Sequence, residues 1–329
     1  MIEQDERHAT LIYNPMAGFW DWSAIIGKVA RFWAKEGWTL HIESTRHTGH
    51  ATELARIAAA AGHRLVFAAG GDGTLNEIVN GLVGTASVMA PMPIGTANSF
   101  AKELGLPRPN VLYPDYLLDV SKALLHGRVQ AMDVGYVEPQ GDQPGRYWML
   151  WASTGIDGFV VNQIEPRPRW FKRLGPAGYL ARALSFLPAF EGVQATVTVD
   201  DQTLEGDFLL LNVSNCRMWL GGELRLNQEA VLDDGVFELW LFRGKHWPRL
   251  FSYGLEITRK EHLNNPNVTV LRAQRVRIAT TPAMPYHLDG EPAGETPFMT
   301  SLRSGALFLL APDTTPTGLF TLPGQPLAF

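Results

Sequence analysis

The chain has 329 residues, 46% of them hydrophobic and 19% charged, enough for two domains, since one core rarely grows beyond about 250 to 300 residues. A net charge of −5 argues against a nucleic-acid binder that draws its affinity from a basic surface, and no apolar run approaches the ~20 residues of a membrane-spanning helix. A single cysteine, Cys216, rules out an internal disulfide; with an acidic start that lacks the basic and apolar parts of a secretory signal, it predicts a cytoplasmic protein.

The first 132 residues alternate strand and helix. The strand "ATLIYNP" is followed by the helix "WSAIIGKVARFWAKEG", which stops at Gly37. The strand "WTLHIES" and the helix "HATELARIAAAAG", stopping at Gly62, come next. The strand "RLVFAA", the helix "LNEIVNGL", the strand "SVMAPMPI" and the helices "SFAKELG" and "YPDYLLDVSKALLHG" complete the series. Several of these strands are apolar throughout, as a parallel sheet covered on both faces requires, so a Rossmann-like α/β domain is predicted. From residue 133 to 312 the texture changes to strand after strand, among them "VQATVTVDD", "DFLLLNVSN", "GVFELWLF", "NVTVLRAQRVRIAT" and "GALFLLAP". Alternating patterns between Gly, Asp and Pro turns predict a mostly antiparallel β-sandwich, interrupted by helical stretches near 169–187 and 246–263. The tail 313–329, rich in Pro, Thr and Gly, is expected to be loosely ordered or to pack back on the first domain.

Within "VFAAGGDGTLNEIVNGL", residues 66–82, a buried strand must end and a helix begin within five residues. Gly70, Gly71 and Gly73 permit that turn and let a ligand approach the backbone, while Thr74 and Glu77 have the spacing of a capping box. The free N–H groups at the helix start make an anion site of the kind phosphates use. A carboxylate there would repel phosphate unless a cation stood between, so Asp72, read as a solvent-open turn residue, points to Mg²⁺ near a nucleotide. The second turn, Gly95-Thr96, repeats the plan; Asn14 and Gly18 of "NPMAG" and Thr45 after the second strand add two more. In a parallel sheet all four turns share one edge, and together they predict a phosphate site.

"NPMAG", "GGDGTLNEIVNGL" and "PIGTANSFAKELG", in this order, resemble the diacylglycerol kinase catalytic-domain family, which includes bacterial lipid kinases and sphingosine kinases. The later "LDDGVFEL" and "HLDGEP" resemble that family's second-domain motifs, so the resemblance spans nearly the whole chain. It implies an ATP-dependent phosphotransferase acting on a lipid hydroxyl, with ATP held between an α/β domain and a β-sandwich. By position it implies that Asn14, Thr45, Gly70, Gly71, Asp72, Gly73, Thr74, Leu75, Asn76 and Thr96 hold ATP. It also implies a structural Mg²⁺ on the Asp234 carboxylate and the carbonyls of Val231 and Val236, with Asp289 and Glu291 supplying the catalytic base. If 287–291 runs extended, those two acids face one space and the proton affinity of one of them rises; Asp289 is assigned the hydroxyl-activating role and Glu291 a supporting, proton-sharing or metal-orienting one, although the sequence does not separate them. Ala17 and Ser99 depart from the family's usual Ser and Asp, which leaves metal number open. A NAD kinase, which shares GGDGT, and a non-catalytic nucleotide- or lipid-binding protein are the other readings.

The segment 167–190 carries five Arg/Lys and no acid until Glu191, with Trp170, Phe171, Tyr179 and Leu184 interleaved. It reads either as an element that meets anionic lipid headgroups or as a helix with a solvated basic rim. The nine histidines are scattered; His47 and His50, beside the nucleotide turn, read as solvated surface, and Cys216 as an inert small hydrophobe. Oligomeric state is not legible in the sequence.

Overall fold

The computed structural model describes residues 7–18, 21–107, 109, 113, 115–139, 141, 144–166 and 175–327. They form two compact units, 1–133 with 304–329, and 134–303.

In the first unit the strands β1 (His8–Tyr13), β2 (Thr39–Ser44), β3 (Leu65–Gly70) and β4 (Val88–Pro93) alternate with helices α1 (Ser23–Lys35), α2 (His50–Ala60), α3 (Asp72–Leu82) and α4 (Ser99–Glu103). Helix α5 (Tyr116–Leu125) and strand β5 (Arg128–Val137) follow. The sheet order is β2-β1-β3-β4, every pair parallel. β3 and β4 are inside on both faces and carry no polar side chain, whereas β2 is an edge strand with mostly exposed residues. Leu11, Ile12, Val29, Trp33, Phe67, Ile78, Val79 and Met89 are completely buried, and the Trp33 and Phe67 rings lie 4.8 Å apart. Burial of each such side chain stabilises by about 1.5–3 kcal/mol. The helix stops at Gly37 and Gly62 have φ of 82° and 77°, a backbone region that favours glycine.

In the second unit, strands β6 (Arg146–Trp148) and β7 (Trp151–Gly155) lead to helix α6 (Ile156–Ile164) and helix α7 (Gly175–Phe186). There follow β8 (Val193–Val199), β9 (Gln202–Ser214), the short pair β10 (Met218–Trp219) and β11 (Leu224–Arg225), and β12 (Phe237–Arg243). Helix α8 (Arg249–Arg259) precedes β13 (Val268–Ala273), β14 (Arg275–Thr281), β15 (Pro285–Leu288), β16 (Glu291–Glu295) and β17 (Phe298–Ala311). The path β16-β15-β7-β9-β8-β14-β17 is antiparallel throughout, and β12 joins β9 to β13. β8 alternates, with Val193, Ala195, Val197 and Val199 inward. β12 does not alternate because both its faces are covered. Phe237, Leu239 and Leu241 enter one core with Phe208, Val213 and Ile278; Trp240 and Phe242 enter another with Val160 of α6 and Tyr253 and Ile257 of α8.

One strand boundary differs from the sequence reading. "NVTVLRAQRVRIAT" is two strands, broken at Gln274, where Asp200 Oδ1 accepts the N–H groups of Gln274 (3.3 Å) and Arg275 (2.9 Å). Residues 304–311, the later half of β17, fall with the first unit, where they pair in parallel with β4, Phe308 opposite Val88 and Leu309 opposite Met89. An apolar strand carries no mark of which sheet it will join.

Candidate functional site

The carboxyl ends of the parallel strands β1 to β4 lie on one edge of their sheet, and Asn14, Thr45, Gly70 and Thr96 sit at or just beyond them. The ladder continues into the turns: Asn14 N donates to Ala69 O (2.9 Å), Thr45 N to Tyr13 O (2.9 Å) and Ile94 N to Gly70 O (3.0 Å). Two glycine turns meet here backbone to backbone. A Cβ on Gly95 would lie 2.4 Å from Gly71 Cα, and one on Gly70 would lie 2.3 Å from Thr74 Cβ, so only glycine fits either place. The first turn of α3 begins at Asp72, and its leading N–H groups have no acceptor within the helix. A backbone cradle with unshared N–H groups suits an anion such as phosphate.

The polar side chains of GGDGTLNE turn out to bind the neighbouring turns together. Asp72 is half-buried, and its carboxylate accepts the N–H groups of Ser99 (3.0 Å) and Phe100 (3.1 Å), fastening the β4–α4 turn to the start of α3. It is therefore not the solvent-open turn residue read from the sequence. Thr74 Oγ1 accepts from Asn14 Nδ2 (3.1 Å), which ties in the β1–α1 turn. The capping box is absent: α3 starts three residues earlier than that box requires, with Gly71 as its N-cap. Glu77 instead caps a different helix, accepting from Gly49 N (2.9 Å) and Ala51 N (3.1 Å) at the start of α2. Leu75 and Asn76 are buried, so their side chains do not reach the solvent edge.

In the second unit, "HLDGEP" is a hairpin tip rather than an extended run. Asp289 and Gly290 have φ of 52° and 85° and form the two-residue turn between β15 and β16. Asp-Gly is the dipeptide such a turn favours. The turn separates the two acids, so they do not share a face as an extended run would make them. Asp289 is 5% exposed; its Oδ1 accepts the N–H groups of Leu150 (2.8 Å) and Trp151 (3.0 Å), its Oδ2 that of Met149 (2.8 Å). Burial pushes the Asp289 carboxyl above the ordinary carboxylate range, against the pull of these three amides and of Arg146. Glu291 lies at the surface and pairs with Arg146. The Gly290 side of the tip is open, since a Cβ there would meet nothing within 4 Å.

Two residues beneath the tip escaped the sequence reading. His287 is buried, its Nε2 stands 3.6 Å from Asp157 Oδ2, and its Nδ1 accepts from Gly290 N (3.2 Å). Asp157 also accepts from Ser153 Oγ (3.1 Å) and Trp219 Nε1 (2.9 Å). Burial alone would raise the Asp157 carboxyl, but His287, Trp219 and Ser153 together hold it below the usual range. This network fixes the hairpin from below, through partners 130 residues apart in the chain (287 − 157) that no local pattern links.

The turn of "AVLDDGV" precedes β12. Asp234 Oδ1 accepts from Val236 N (3.3 Å), its Oδ2 pairs with Arg272, and Gln274 Nε2 donates to Gly235 O (3.0 Å). Glu238 nearby is pushed up to about 7, first by burial and then by Asp234, with Arg272 and Asn227 opposing. Two acids facing one guanidinium leave room, in charge, for a divalent cation.

The basic part of 167–190 that includes Arg167, Arg169, Trp170, Phe171, Lys172 and Arg173 lies outside the described residues. Among the described residues no helix is long and apolar enough to cross a membrane.

Residues 8–137 match the diacylglycerol kinase catalytic domain, and residues 151–311 match the YegS C-terminal NAD kinase beta sandwich-like domain. The chain is 31% identical over 286 residues to the "Probable lipid kinase YegS-like" of Pseudomonas syringae pv. syringae (strain B728a), covering 86% of this chain and 87% of that one. It is 27% identical over 293 residues to the "Diacylglycerol kinase" of Bacillus subtilis (strain 168), covering 88% and 92%. The crystal structure of a diacylglycerol kinase from Bacillus anthracis str. Sterne has the same fold, with a TM-score of 0.67 at 20% identity over 94% of this chain and 98% of that one. With an α/β unit that ends in a glycine cradle, a sandwich unit that carries the DGE hairpin, and relatives matched along both, the chain belongs to the diacylglycerol kinase catalytic-domain family and is a lipid kinase.

Proposed function

We propose that the chain transfers the γ-phosphoryl group of ATP to a hydroxyl of a diacylglycerol-like lipid, with Mg²⁺ as the divalent metal. The observation that carries this reading is the Gly71–Gly95 cradle, which Asp72 fastens through Ser99 N and Phe100 N and in which a Cβ on Gly95 would lie 2.4 Å from Gly71 Cα. ATP, when bound, supplies the transferable phosphoryl group, and Mg²⁺ neutralises its charge. The first-turn amides of α3 bind phosphate oxygens, and Asn14, Thr45 and Thr96 orient the nucleotide at the same edge. Asp289 accepts the proton of the lipid hydroxyl, and burial, which raises its proton affinity, makes it a stronger base than an exposed carboxylate. Glu291 holds Arg146 beside it, and His287 and Asp157 fix the hairpin. At the "AVLDDGV" turn, Asp234 with the Val231 and Val236 carbonyls would hold a second, structural Mg²⁺.

The names of the relatives from Bacillus subtilis and Pseudomonas syringae support a lipid acceptor, and a diacylglycerol-like one in particular. A lipid acceptor brings the protein to a membrane surface from the cytoplasm, and 167–190 is the segment we assign to that contact. In its described part Leu180 and Leu184 are 46% and 42% exposed, and Arg182 lies over the Phe186 ring at 4.8 Å. The test is labelled ATP with a total lipid extract. Label in a phosphorylated neutral lipid, dependent on Mg²⁺, is expected; label on NAD, or release of inorganic phosphate alone, would overturn the reading.

A further inference from the structure

Three histidines that look scattered in the sequence come together at the amino-terminal edge of the parallel sheet. His8 opens β1, His41 lies in β2, and His63 precedes β3. β1 and β2 pair with Thr10 opposite His41, so His8, Thr10 and His41 share one face of the sheet, two residues or one strand apart. Arg64 N donates to His8 O (3.0 Å), which brings the His63 loop onto the same corner. The ring centroids of His41 and His63 are 4.8 Å apart, and His8 stands 5.8 Å and 5.9 Å from them. One nitrogen of each ring lies within 4.8 Å of one nitrogen of each of the others.

We propose that His8, His41 and His63 form a binding site for a zinc-class divalent cation, separate from the phosphate edge. Three imidazoles are the donor set that Zn²⁺ prefers, with a fourth position left for water, and one that Mg²⁺, which takes oxygen ligands, does not compete for. Tetrahedral zinc with bonds of about 2.0–2.1 Å needs ligand nitrogens about 3.3 Å apart, a closure that rotation of the largely exposed His41 side chain allows. The second shell is in place: His63 Nδ1 lies 2.6 Å from Thr10 Oγ1, and with its proton directed at that hydroxyl, Nε2 offers its lone pair to the metal. The adjoining cations are turned to backbone carbonyls, Arg7 Nη1 to Glu36 O (3.4 Å) and Arg64 Nη1 to Ala86 O (2.9 Å).

The strands run about 20 Å from this edge to the turns that bear Asn14 and Thr45, so the site would not touch the nucleotide. Its structural consequence falls on β2. Among the described residues that edge strand has β1 as its one strand neighbour, and a metal shared by β1, β2 and the α2–β3 loop would clamp it in place.

The full chain, stripped with a chelator, is titrated with Zn²⁺, and with Co²⁺ as a spectroscopic probe. One equivalent per chain, a rise in melting temperature and the strong visible bands of tetrahedral cobalt are expected. His41→Gln should weaken binding at least about tenfold, and Thr10→Val, which keeps all three ligands and the shape of the side chain, about 10- to 100-fold. Both variants are checked by circular dichroism, so that loss of the metal is read on a folded chain. The double variant His47→Gln/His50→Gln removes the other group of clustered histidines, with Glu53, and should bind zinc like the wild type. Absence of stoichiometric zinc at micromolar concentration would overturn the proposal. So would zinc that survives His41→Gln but is lost with His47 and His50.

Discussion

Replacing Asp289 by Asn separates the two things its carboxylate does. The amide retains an oxygen for the Leu150 and Trp151 N–H groups but turns its NH₂ toward Met149 N, which then loses an acceptor 2.8 Å away in a place that is 5% exposed. Leaving one buried donor unpaired costs about 1–3 kcal/mol, which a thermal melt registers as a drop of several degrees. Removing the base should lower kcat by about 10² or more while the affinity for nucleotide stays within about twofold. Glu291→Gln disrupts only a surface ion pair with Arg146, worth about 0–1 kcal/mol, and should lower kcat less than about tenfold. The pH dependence follows from the raised proton affinity of Asp289: the rate should fall as pH drops through a value above the ordinary carboxylate range, and that acid limb should vanish in the Asn variant. The stability effect has the opposite sense. The folded chain keeps a proton that the unfolded chain has already released, so this group's contribution declines as pH rises through the same region. Steady-state ADP release across pH, with melts of each variant, measures all of this. An Asn variant with wild-type kcat refutes the base assignment, and one with a wild-type melt refutes the account of the amide nest.

Asp72→Ala leaves Ser99 N and Phe100 N without their acceptor at the start of α4, so it should cost about 1–2 kcal/mol of stability as well as abolish phosphoryl transfer; a wild-type melt would contradict the fastening role. Gly95→Ala drives a Cβ to 2.4 Å from Gly71 Cα, backbone that has no flexible end to yield, and should weaken binding of a fluorescent ATP analogue by about tenfold or more while leaving the second unit's melt unchanged. Mg²⁺ should raise the melting temperature of the wild type but not of Asp234→Asn, and a wild-type melt indifferent to Mg²⁺ would remove that site. Glu238, raised from 4.5 to about 7 first by burial, should make stability decline as pH rises through that window, and Glu238→Gln should flatten the decline.

What the sequence by itself determined is what lies within a few residues. The helix stops at Gly37 and Gly62, the buried strand that breaks at Gly70, and the alternation of "VQATVTV" are local consequences of backbone freedom and hydrophobic period, and each is where the pattern indicated. The glycine cradle was legible for the same reason: parallel strands send all their turns to one edge, whatever else the chain does. The hairpin at Asp289 was also written locally, as Asp-Gly between strand-like runs, but reading 287–291 as extended put two acids on one face that a positive φ at Asp289 and Gly290 drives apart. Partnerships across the chain had no such signature. Glu77 has capping-box spacing from Thr74, yet it meets Gly49 and Ala51, 28 and 26 residues away, because α2 and α3 pack side by side and Glu77 lies past the first turn of its own helix. His287 finds Asp157, and His8 finds His41 and His63, only once the strands between them pair. A side chain's period along the chain tells which face it takes. What stands opposite that face depends on how the sheet is assembled, and only the tertiary structure decides it.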